Sequence, residues 1–297
     1  MEKFGLHLTD HIMELHHDLT EKTYRHGSYH AFKVNDPKPR DIHKASVRDR
    51  LLHHAIYQVL YPLFDRKFIF DSYSCRKNKG THRAINRFRD FARIVSQNHT
   101  RTAWVLKCDI RKFFASINHE ILFHVLKKHI ADKNLLWLLG QVVVSFHSNR
   151  GHGKGLPLGN LTSQLLVNVY MNEFDQFVKR RLKVKYYIRY ADDFVILHGN
   201  KKHLNALLPG ISSFLETQLK LTLHPNKVSI TTFASGVDYL GWVHFSDYRV
   251  LRTVTKRRML NRIDASSGEQ TIQSYLGLIS HGDTYVLKQK IVRFLEE

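Results

Sequence analysis

The chain has 297 residues, of which 43% are hydrophobic, so it can bury a sizeable core in one large domain or a few small ones. Lysine and arginine number 46 against 26 aspartate and glutamate residues, which gives a formal net charge of +20. Such an excess indicates a polyanionic partner, most simply nucleic acid. The longest apolar stretch, near residues 135–146, is interrupted and too short to cross a bilayer, so no membrane partner is expected.

The first residues lack the basic start and apolar core of a secretion signal. Cys75 and Cys108 form neither a disulfide framework nor a zinc-type pair, so a reduced, cytoplasmic location is expected. The 21 histidines include neighbours such as His53-His54, but these lack metal-ligand spacing and are expected on the surface or in the core.

In chain order, apolar residues at helical spacing predict a series of helices. Their predicted ranges are residues 1–30, 47–64, 81–96, 120–129, 135–146, 161–182, 204–219 and the basic tail from residue 249. Asp36-Pro37 and Pro39 predict a tight turn between two extended pieces in residues 32–40. Short strands are predicted at residues 104–110, on both sides of residues 192–193, and up to residue 245. This alternation favours an α+β fold with helices packed on a mostly antiparallel sheet.

Two adjacent aspartates, Asp192 and Asp193, carry the strongest chemical signal. Apolar, β-prone runs at residues 186–190 and 194–197 flank them, which predicts a hairpin with the carboxylates at its tip. Neighbouring unpaired carboxylates repel and raise each other's pKa. A divalent cation is therefore expected, because hard cations such as Mg²⁺ take carboxylate oxygens and keep positions open for phosphate.

Asp109 lies near the end of the other strand-like run, residues 104–110. If the two strands lie side by side, Asp109 reaches Asp192 and Asp193. Three carboxylates can hold two metal ions roughly 4 Å apart, the arrangement used for in-line phosphoryl displacement. On spacing alone, an exposed Asp-Asp turn and a strand-end aspartate that never meet are an equally good interpretation.

The order of the sequence blocks resembles the palm and fingers region of reverse transcriptases, over roughly residues 30 to 245. The two catalytic blocks are Leu106-Lys107-Cys108-Asp109-Ile110-Arg111-Lys112-Phe113-Phe114 and Tyr190-Ala191-Asp192-Asp193. Around them lie Val47-Arg48-Asp49-Arg50, Ser72-Tyr73-Ser74-Cys75-Arg76, Gly155-Leu156-Pro157-Leu158-Gly159-Asn160-Leu161-Thr162-Ser163-Gln164 and Tyr239-Leu240-Gly241-Trp242. The tetrapeptide Tyr-x-Asp-Asp alone is a weak motif, whereas all the blocks in order are specific.

This resemblance implies a right-hand polymerase that copies RNA into DNA. Its fingers would span residues 1–105, its palm residues 106–245 with a fingers insertion near 120–155, and its short helical thumb residues 246–297. Asp109, Asp192 and Asp193, with the backbone carbonyl of Ile110, would hold two Mg²⁺ ions. The implied partners are a template RNA, the RNA/cDNA duplex and deoxynucleoside triphosphates.

The resemblance also implies residues that contact the incoming nucleotide. They are Lys33, Lys38 and Arg40 at a fingertip, Arg76, the aromatic gate Phe114, then Leu158, Gly159, Gln164 and the proton donor Lys227. Phe113 faces the other side and is the expected core residue. Each assignment has a structural alternative: a solvated basic turn for the fingertip, a core ring for Phe114, helix-start packing for Leu158 and a surface position for Lys227.

Leu240, Gly241 and Trp242 match the turn that grips the primer, where glycine permits close backbone approach. Basic residues of the tail would face the duplex backbone as a thumb surface. These are Arg249, Arg252, Lys256, Arg257, Arg258 and Arg262. A merely solvated charge run is the alternative.

The block from Leu158 to Gln164 narrows the resemblance to the reverse transcriptases of diversity-generating retroelements, which copy RNA with errors at adenine. Most reverse transcriptases carry Gln-Gly and Ser-Pro where this chain has Leu158-Gly159 and Ser163-Gln164. A small basic accessory protein would then be a further partner. Two alternatives stay open: another bacterial reverse transcriptase, such as a phage-defence enzyme, and a non-enzymatic, maturase-like RNA-binding protein.

Overall fold

The computed structural model describes residues 7–35, 39–263 and 268–296, with side chains up to residue 291. The strands are β1 His30–Val34, β2 Arg40–Lys44, β3 Trp104–Asp109, β4 Tyr187–Tyr190, β5 Asp193–His198, β6 Ser229–Thr232, β7 Val237–Tyr239, β8 Trp242–His244 and β9 Arg249–Leu251. The α-helices are Leu8–Thr20, Val47–Asp65, Thr81–Val95, Phe113–Ser116, His119–Lys127, Lys133–Val144, Leu161–Gln176, Lys201–Gln218, Thr253–Leu260, Glu269–Ile279 and Tyr285–Glu296.

A four-stranded antiparallel sheet, in the order β4-β5-β3-β6, occupies the centre of the fold. Successive side chains of a strand point to opposite faces, and here both faces are buried. Leu106 and Phe194 belong to one core, whereas Val105 and Val195 belong to the other. β3, β4 and β5 are therefore mostly apolar, whereas β6 alternates between exposed and half-buried residues. A polar side chain buried within the first three strands is an exception that requires a partner.

Helices cover each face for reasons that the sequence makes visible. The helix Val47–Asp65 begins where the Ser46 side chain accepts a hydrogen bond from the Asp49 amide, and it packs on the helix Leu161–Gln176. The helix Thr81–Val95 has a basic outer face and an apolar inner face that includes Ile85 and Phe88. Its inner face closes the second core against the central sheet.

A second antiparallel sheet, β7-β8-β9, joins this second core to the C-terminal helices. Trp242 of β8 is almost completely buried, and Gly282 approaches its ring so closely that a Cβ there would lie 2.1 Å from the ring. The segment after Ile279 thus packs directly on the sheet.

Most predicted elements are present, with three corrections. The first predicted helix covers only Leu8–Thr20 of the described part of residues 1–30. The long helix predicted to residue 182 ends as an α-helix at Gln176 and continues as a π-helix, Phe177–Arg181. The tail does not begin as a helix, because Arg249–Leu251 pairs with β8 as a strand. Among the described residues no helix is both long and apolar enough to traverse a bilayer.

Candidate active site

Strand pairing brings the three predicted aspartates to one edge of the central sheet. In the register of β3 and β5, Asp109 lies directly opposite Asp193. Asp192 occupies the turn between β4 and β5, and its carbonyl accepts a hydrogen bond from the Ile110 amide at 3.3 Å. The aspartates therefore do meet, and the interpretation in which they lie apart is wrong.

The turn that carries Asp192 is tight. Tyr190 pairs with Asp193, so only Ala191 and Asp192 lie between the paired residues. Ala191 has a φ of 56° in the left-handed region, a conformation that costs a non-glycine residue about 1 kcal/mol. Such residues persist only where their surroundings hold them, and they cluster at functional sites.

The carboxylates of the turn lie in an environment that disfavours their charge. Burial raises the pKa of Asp192 to about 6, and Asp193 and Asp109 add to this effect. Burial also raises the pKa of Asp193, although the Lys107 ammonium opposes the shift. The charged forms of both carboxylates are therefore disfavoured mainly by burial, and a bound cation would stabilise them.

Two lysines contribute positive charge beside the aspartates. Lys227 donates a hydrogen bond to Oδ2 of Asp109 at 2.7 Å. Lys107 lies two residues before Asp109 in β3, and its ammonium donates to the carbonyl of Asp238. Arg252 pairs with the Asp238 carboxylate, so Asp238 connects β3 to the segment after β9.

The donor set fits a divalent cation, because three carboxylates share one sheet edge and two of them have raised pKa values. Among residues 7–35, 39–263 and 268–296, however, no three His, Cys, Asp or Glu side chains are gathered into a ready-made ligand set. The carboxylate of Asp109 instead forms its ion pair with Lys227.

A completely buried arginine lies behind the turn. The guanidinium of Arg189 forms a bidentate pair with Asp175 and donates to the Ala191 carbonyl at 3.1 Å. Neither side chain of the ion pair is exposed to solvent. Burial alone would lower the pKa of Arg189, but the Asp175 carboxylate outweighs it and the pKa lies above its usual value.

The predicted fingertip is a hairpin of β1 and β2, with Lys33 opposite Asp41 and Arg40 opposite Val34. Both basic residues are exposed, while Lys38 lies outside the described residues. The base of the hairpin is docked on the segment that precedes the helix Leu161–Gln176.

The docking segment is Leu158-Gly159-Asn160. The Leu158 carbonyl accepts from the His43 amide at 2.9 Å. The Asn160 side chain forms two hydrogen bonds with the backbone at the end of β2: it donates to the His43 carbonyl and accepts from the Ala45 amide. Gly159 has a φ of +110°, and a Cβ there would lie 2.7 Å from Ile42 Cγ2. Leu158 and Gly159 thus lie at the base of the fingertip.

The other residues predicted to contact the nucleotide lie in different surroundings from one another. Phe114 is half-buried, packs edge to face on the buried Phe113, and accepts a bond at its carbonyl from the Leu156 amide. Gln164 is half-buried on the first turn of its helix. The guanidinium of Arg76 is enclosed, with bonds to the Asp65 carboxylate and to backbone carbonyls. This arrangement favours a structural role for Arg76 over the predicted nucleotide contact.

The predicted primer grip is the tight turn between β7 and β8. Leu240 and Gly241 both have positive φ values, of 50° and 87°. A Cβ on Gly241 would meet no atom of the described chain within 4 Å, so the space above this turn is open. Trp242 points the other way, into the core.

The basic tail divides into two groups. Arg249 donates to Asn86 at 2.8 Å and to the His281 carbonyl, so it is used within the fold. Lys256 and Arg257 are exposed on the helix Thr253–Leu260, and Arg262 is exposed just beyond it. Arg258 is half-buried on the same helix.

Sequence reasoning missed Lys107, Asn160 and Arg189. Two of them left a signal, because Lys107 and Arg189 are single charges within apolar strands. A charge buried within an apolar strand needs a polar partner. Since Lys107 and Arg189 both lie close to the ends of their strands, such partners could have been sought in the segments near the Asp192 turn. The only sequence signal at Asn160 is its position before a helix, which predicts an N-cap. Its side chain forms no cap hydrogen bond and instead bonds the base of the fingertip.

Comparisons with known proteins agree with this arrangement. A family described as reverse transcriptase (RNA-dependent DNA polymerase) matches residues 33–244, which is most of the chain. Protein YkfC of Escherichia coli is 26% identical over 75% of this chain and 69% of its own length. The group II intron-encoded protein LtrA of Lactococcus lactis is 23% identical over 76% of this chain, but the match spans only 47% of LtrA.

Solved telomerase structures show the same fold. The apo telomerase of Candida tropicalis, truncated from its C-terminal domain, aligns with a TM-score of 0.59 at 11% identity, over 77% of this chain and 55% of that chain. Telomerase of Candida albicans with a TWJ fragment of telomeric RNA gives 0.57 at 10% identity, over 93% and 58%. The predicted α+β polymerase fold is therefore confirmed.

The family match extends from the fingertip hairpin, through both aspartate blocks, to the end of β8. It thus contains the three aspartates together with Lys107 and Lys227. The names of these relatives do not refer to a diversity-generating retroelement, so that narrower assignment stays a prediction. The chain belongs to the reverse transcriptase family, the RNA-dependent DNA polymerases.

Proposed function

We propose that this protein extends a primer with deoxynucleotides on an RNA template, with Asp109, Asp192 and Asp193 as its catalytic residues. The observation that carries the proposal is the register pair of Asp109 and Asp193, with Asp192 in the adjoining turn. Strand pairing places these acids at the end of the sheet, where a phosphate chain and a primer end can approach together.

The three carboxylates and the Ile110 carbonyl would hold two Mg²⁺ ions. When bound, these ions supply activation of the primer 3′-hydroxyl and neutralisation of the triphosphate charge. The raised pKa values of Asp192 and Asp193 support this role, because their charged forms are disfavoured mainly by burial and a bound cation would stabilise them.

The remaining contacts come from the chain itself. Lys33 and Arg40 bind the triphosphate from the fingertip, Arg40 through the planar fork of its guanidinium; Lys38 belongs to the same predicted set. Phe114 lies under the sugar and excludes a 2′-hydroxyl. Lys227 orients Asp109 in the resting site and donates a proton to the departing pyrophosphate.

The duplex lies along the open turn at Leu240 and Gly241, which approaches the primer backbone. The exposed Lys256 and Arg257 face the phosphates, consistent with the net charge of +20. We expect binding of the RNA/cDNA duplex to weaken steeply as salt concentration rises.

The decisive test is primer extension on a defined RNA with all four deoxynucleoside triphosphates and Mg²⁺. Asp109→Asn and Asp193→Asn keep the side-chain shape but remove charge, and each should lower kcat by about 10²- to 10³-fold. The matched control is Asp247→Asn, since Asp247 is an exposed aspartate away from the sheet edge. Extension that survives neutralisation of Asp109 and Asp193 would refute the proposal.

Within this activity, we infer that the enzyme serves a diversity-generating retroelement, alongside a small basic accessory protein and a structured template RNA. The support is Leu158-Gly159 with Ser163-Gln164. An aliphatic side chain at position 158 cannot hydrogen-bond, so the nascent base pair is held less firmly. Its carbonyl contact with His43 ties the same residue to the fingertip.

Sequencing of cDNA made by wild type and Leu158→Gln tests this inference. The variant should lower misincorporation opposite adenine, whereas Leu158→Met, which adds no hydrogen-bonding group of comparable strength, should leave it unchanged. Equal error rates at adenine in all three proteins would show that residue 158 does not set fidelity.

A maturase-like role is the second candidate, because LtrA is an intron-encoded protein. An RNA-binding protein of that kind does not need the charges of the aspartates. Tight binding of RNA together with no extension by the wild type would favour it over the polymerase.

A further inference from the structure

Arg189 lies one residue before the turn's Tyr190, in the middle of the packed fold rather than in the site. Its backbone joins the edge strand β4 to the fingers, since its amide donates to Asp71 and its carbonyl accepts from Tyr73. Ser72 and Arg189 also form a parallel bridge. This position connects three parts of the molecule that must stay in register: the fingers, the long palm helix and the catalytic turn.

The guanidinium uses all five of its N–H donors. Nε and Nη2 bind the Asp175 carboxylate at 2.7–3.0 Å. Nη2 also donates to Ser72 Oγ, and Nη1 donates to Asn168 Oδ1, each at 3.1 Å. The last bond runs from Nη1 to the carbonyl of Ala191 at 3.1 Å. Only this last bond reaches the turn.

Ala191 is the residue that needs such support. Its left-handed conformation is unfavourable for alanine, and the Arg189 bond fixes the peptide that joins it to Asp192. The next peptide is fixed from the other strand, because Ile110 donates to the Asp192 carbonyl. Arg189 and Ile110 thus hold the two consecutive peptide groups of the turn from opposite sides.

We propose that Arg189 is a positioning residue that holds the Ala191–Asp192 turn so that Asp192 and Asp193 face Asp109. The expected loss of kcat in Arg189 variants rests on the proposed polymerase function, whereas the expected loosening of the turn does not. Lysine cannot replace it, because an ammonium has no planar fork that binds Asp175 and the turn together.

A purely structural role for the pair makes a different prediction. A buried ion pair can often be exchanged for apolar residues of similar volume without loss of stability. The double variant Arg189→Met with Asp175→Val removes both charges at once, so neither is left buried without its partner. Ser72, Asn168 and Tyr187 each lose one bond in this variant, so it should fold with a lower free energy of unfolding than wild type. It has no donor for the Ala191 carbonyl, and urea unfolding checks that it folds before its kinetics are compared.

The experiment compares wild type, the double variant, Arg189→Lys and the control Tyr187→Phe. Tyr187 donates to Asp175 at 2.7 Å but does not touch the turn, so its variant weakens the same network without loosening Ala191. We expect kcat in primer extension to fall about 100-fold in both Arg189 variants, with KM for the deoxynucleotide within about threefold. The control should keep its kcat within about twofold.

Amide hydrogen exchange supplies a readout that does not depend on activity. Exchange at Ile110, the residue after β3, reports the turn, and exchange at Leu106, in the middle of β3, reports the sheet. Both Arg189 variants should speed exchange at Ile110 relative to Leu106, and the Tyr187→Phe control should not.

Recovery of kcat in the stable double variant, or an unchanged ratio of Ile110 to Leu106 exchange, would overturn the proposal. If the double variant does not fold, Arg189→Lys decides by the same two measurements. If wild type extends no primer, the polymerase proposal fails, and the exchange ratio still decides whether Arg189 holds the turn.

Discussion

The ammonium of Lys227 lies 2.7 Å from Oδ2 of Asp109, although the two residues are 118 positions apart. The lysine side chain is 42% exposed, so it can leave the carboxylate without unpacking the core. The Lys227 ammonium can therefore move away from Asp109, which would free this carboxylate for the metal ion of the proposed reaction.

Loss of the Lys227 side chain should impair chemistry more than nucleotide binding. General-acid catalysis typically contributes at least about 10²-fold, so we expect Lys227→Ala to lower kcat by about that factor with little change in KM. Lys227→Arg keeps the charge but cannot release a proton, so it should not restore kcat. Single-turnover primer extension over a range of deoxynucleotide concentrations measures the rate of the chemical step and the affinity for the nucleotide in both variants. The exposed Lys202 provides the control, as Lys202→Ala, and normal turnover in Lys227→Ala would contradict the assignment.

The half-buried ring of Phe114 should select against ribonucleotides. Phe114→Ala opens space beside the sugar, and we expect ribonucleotide incorporation relative to deoxynucleotide incorporation to rise roughly 10- to 100-fold. Competitive primer extension measures the ratio. Phe113→Leu should reduce stability, because Phe113 is buried, but should leave the ratio unchanged. Equal discrimination by Phe114→Ala and wild type would show that Phe114 is only a packing residue.

Asn160 should act on nucleotide affinity through the fingertip. Asn160→Ala leaves the His43 carbonyl and the Ala45 amide without their partner, which costs roughly 1–3 kcal/mol of stability and loosens the base of the hairpin that carries Arg40. We therefore expect a raised KM for deoxynucleotides with a smaller change in kcat, as measured by steady-state extension.

A matched control for this effect is Asn200→Ala, which removes the cap of the helix Lys201–Gln218. That substitution costs about 1 kcal/mol of stability far from the fingertip. If both variants change KM equally, the effect of Asn160 is general destabilisation.

His53 should make the fold sensitive to acid. Burial lowers the pKa of His53 to about 4, and His26, with its Nε2 atom 3.1 Å from that of His53, contributes next. Between pH 6.5 and 4 the unfolded chain therefore binds a proton that the folded chain does not. The free energy of unfolding falls as pH falls through this window, by about 2 kcal/mol at pH 5 relative to pH 7.5.

Urea unfolding at these two pH values tests the His53 prediction. His53→Gln should remove about that part of the loss, whereas the exposed neighbour in His54→Gln should leave it in place. The same pH dependence in all three proteins would exclude His53 as its source.

Much of the fold could be predicted because its signals are local. The spacing of apolar residues predicted the ends of the helix Val47–Asp65 to within one residue, and the turn with two prolines predicted the fingertip hairpin. The π-helix after Gln176 left no such signal, since it depends on how the helix end packs. Arg249 was expected on the duplex surface for its charge, yet its partners, Asn86 and His281, are distant in sequence and could not be inferred from spacing.

By itself, the amino-acid sequence determined the chemistry available to this protein: its excess positive charge, its adjacent aspartates and the ordered blocks of its family. Each of these features depends only on which residue types occur and on their spacing, so it can be recognised without knowing the fold. The tertiary structure alone decided which charges meet. Strand register places Asp109 opposite Asp193, and the packing of the fold joins Arg189 to Ser72 and Asn160 to His43 at the base of the fingertip. Such contacts join residues far apart in the chain, and no local interaction fixes them.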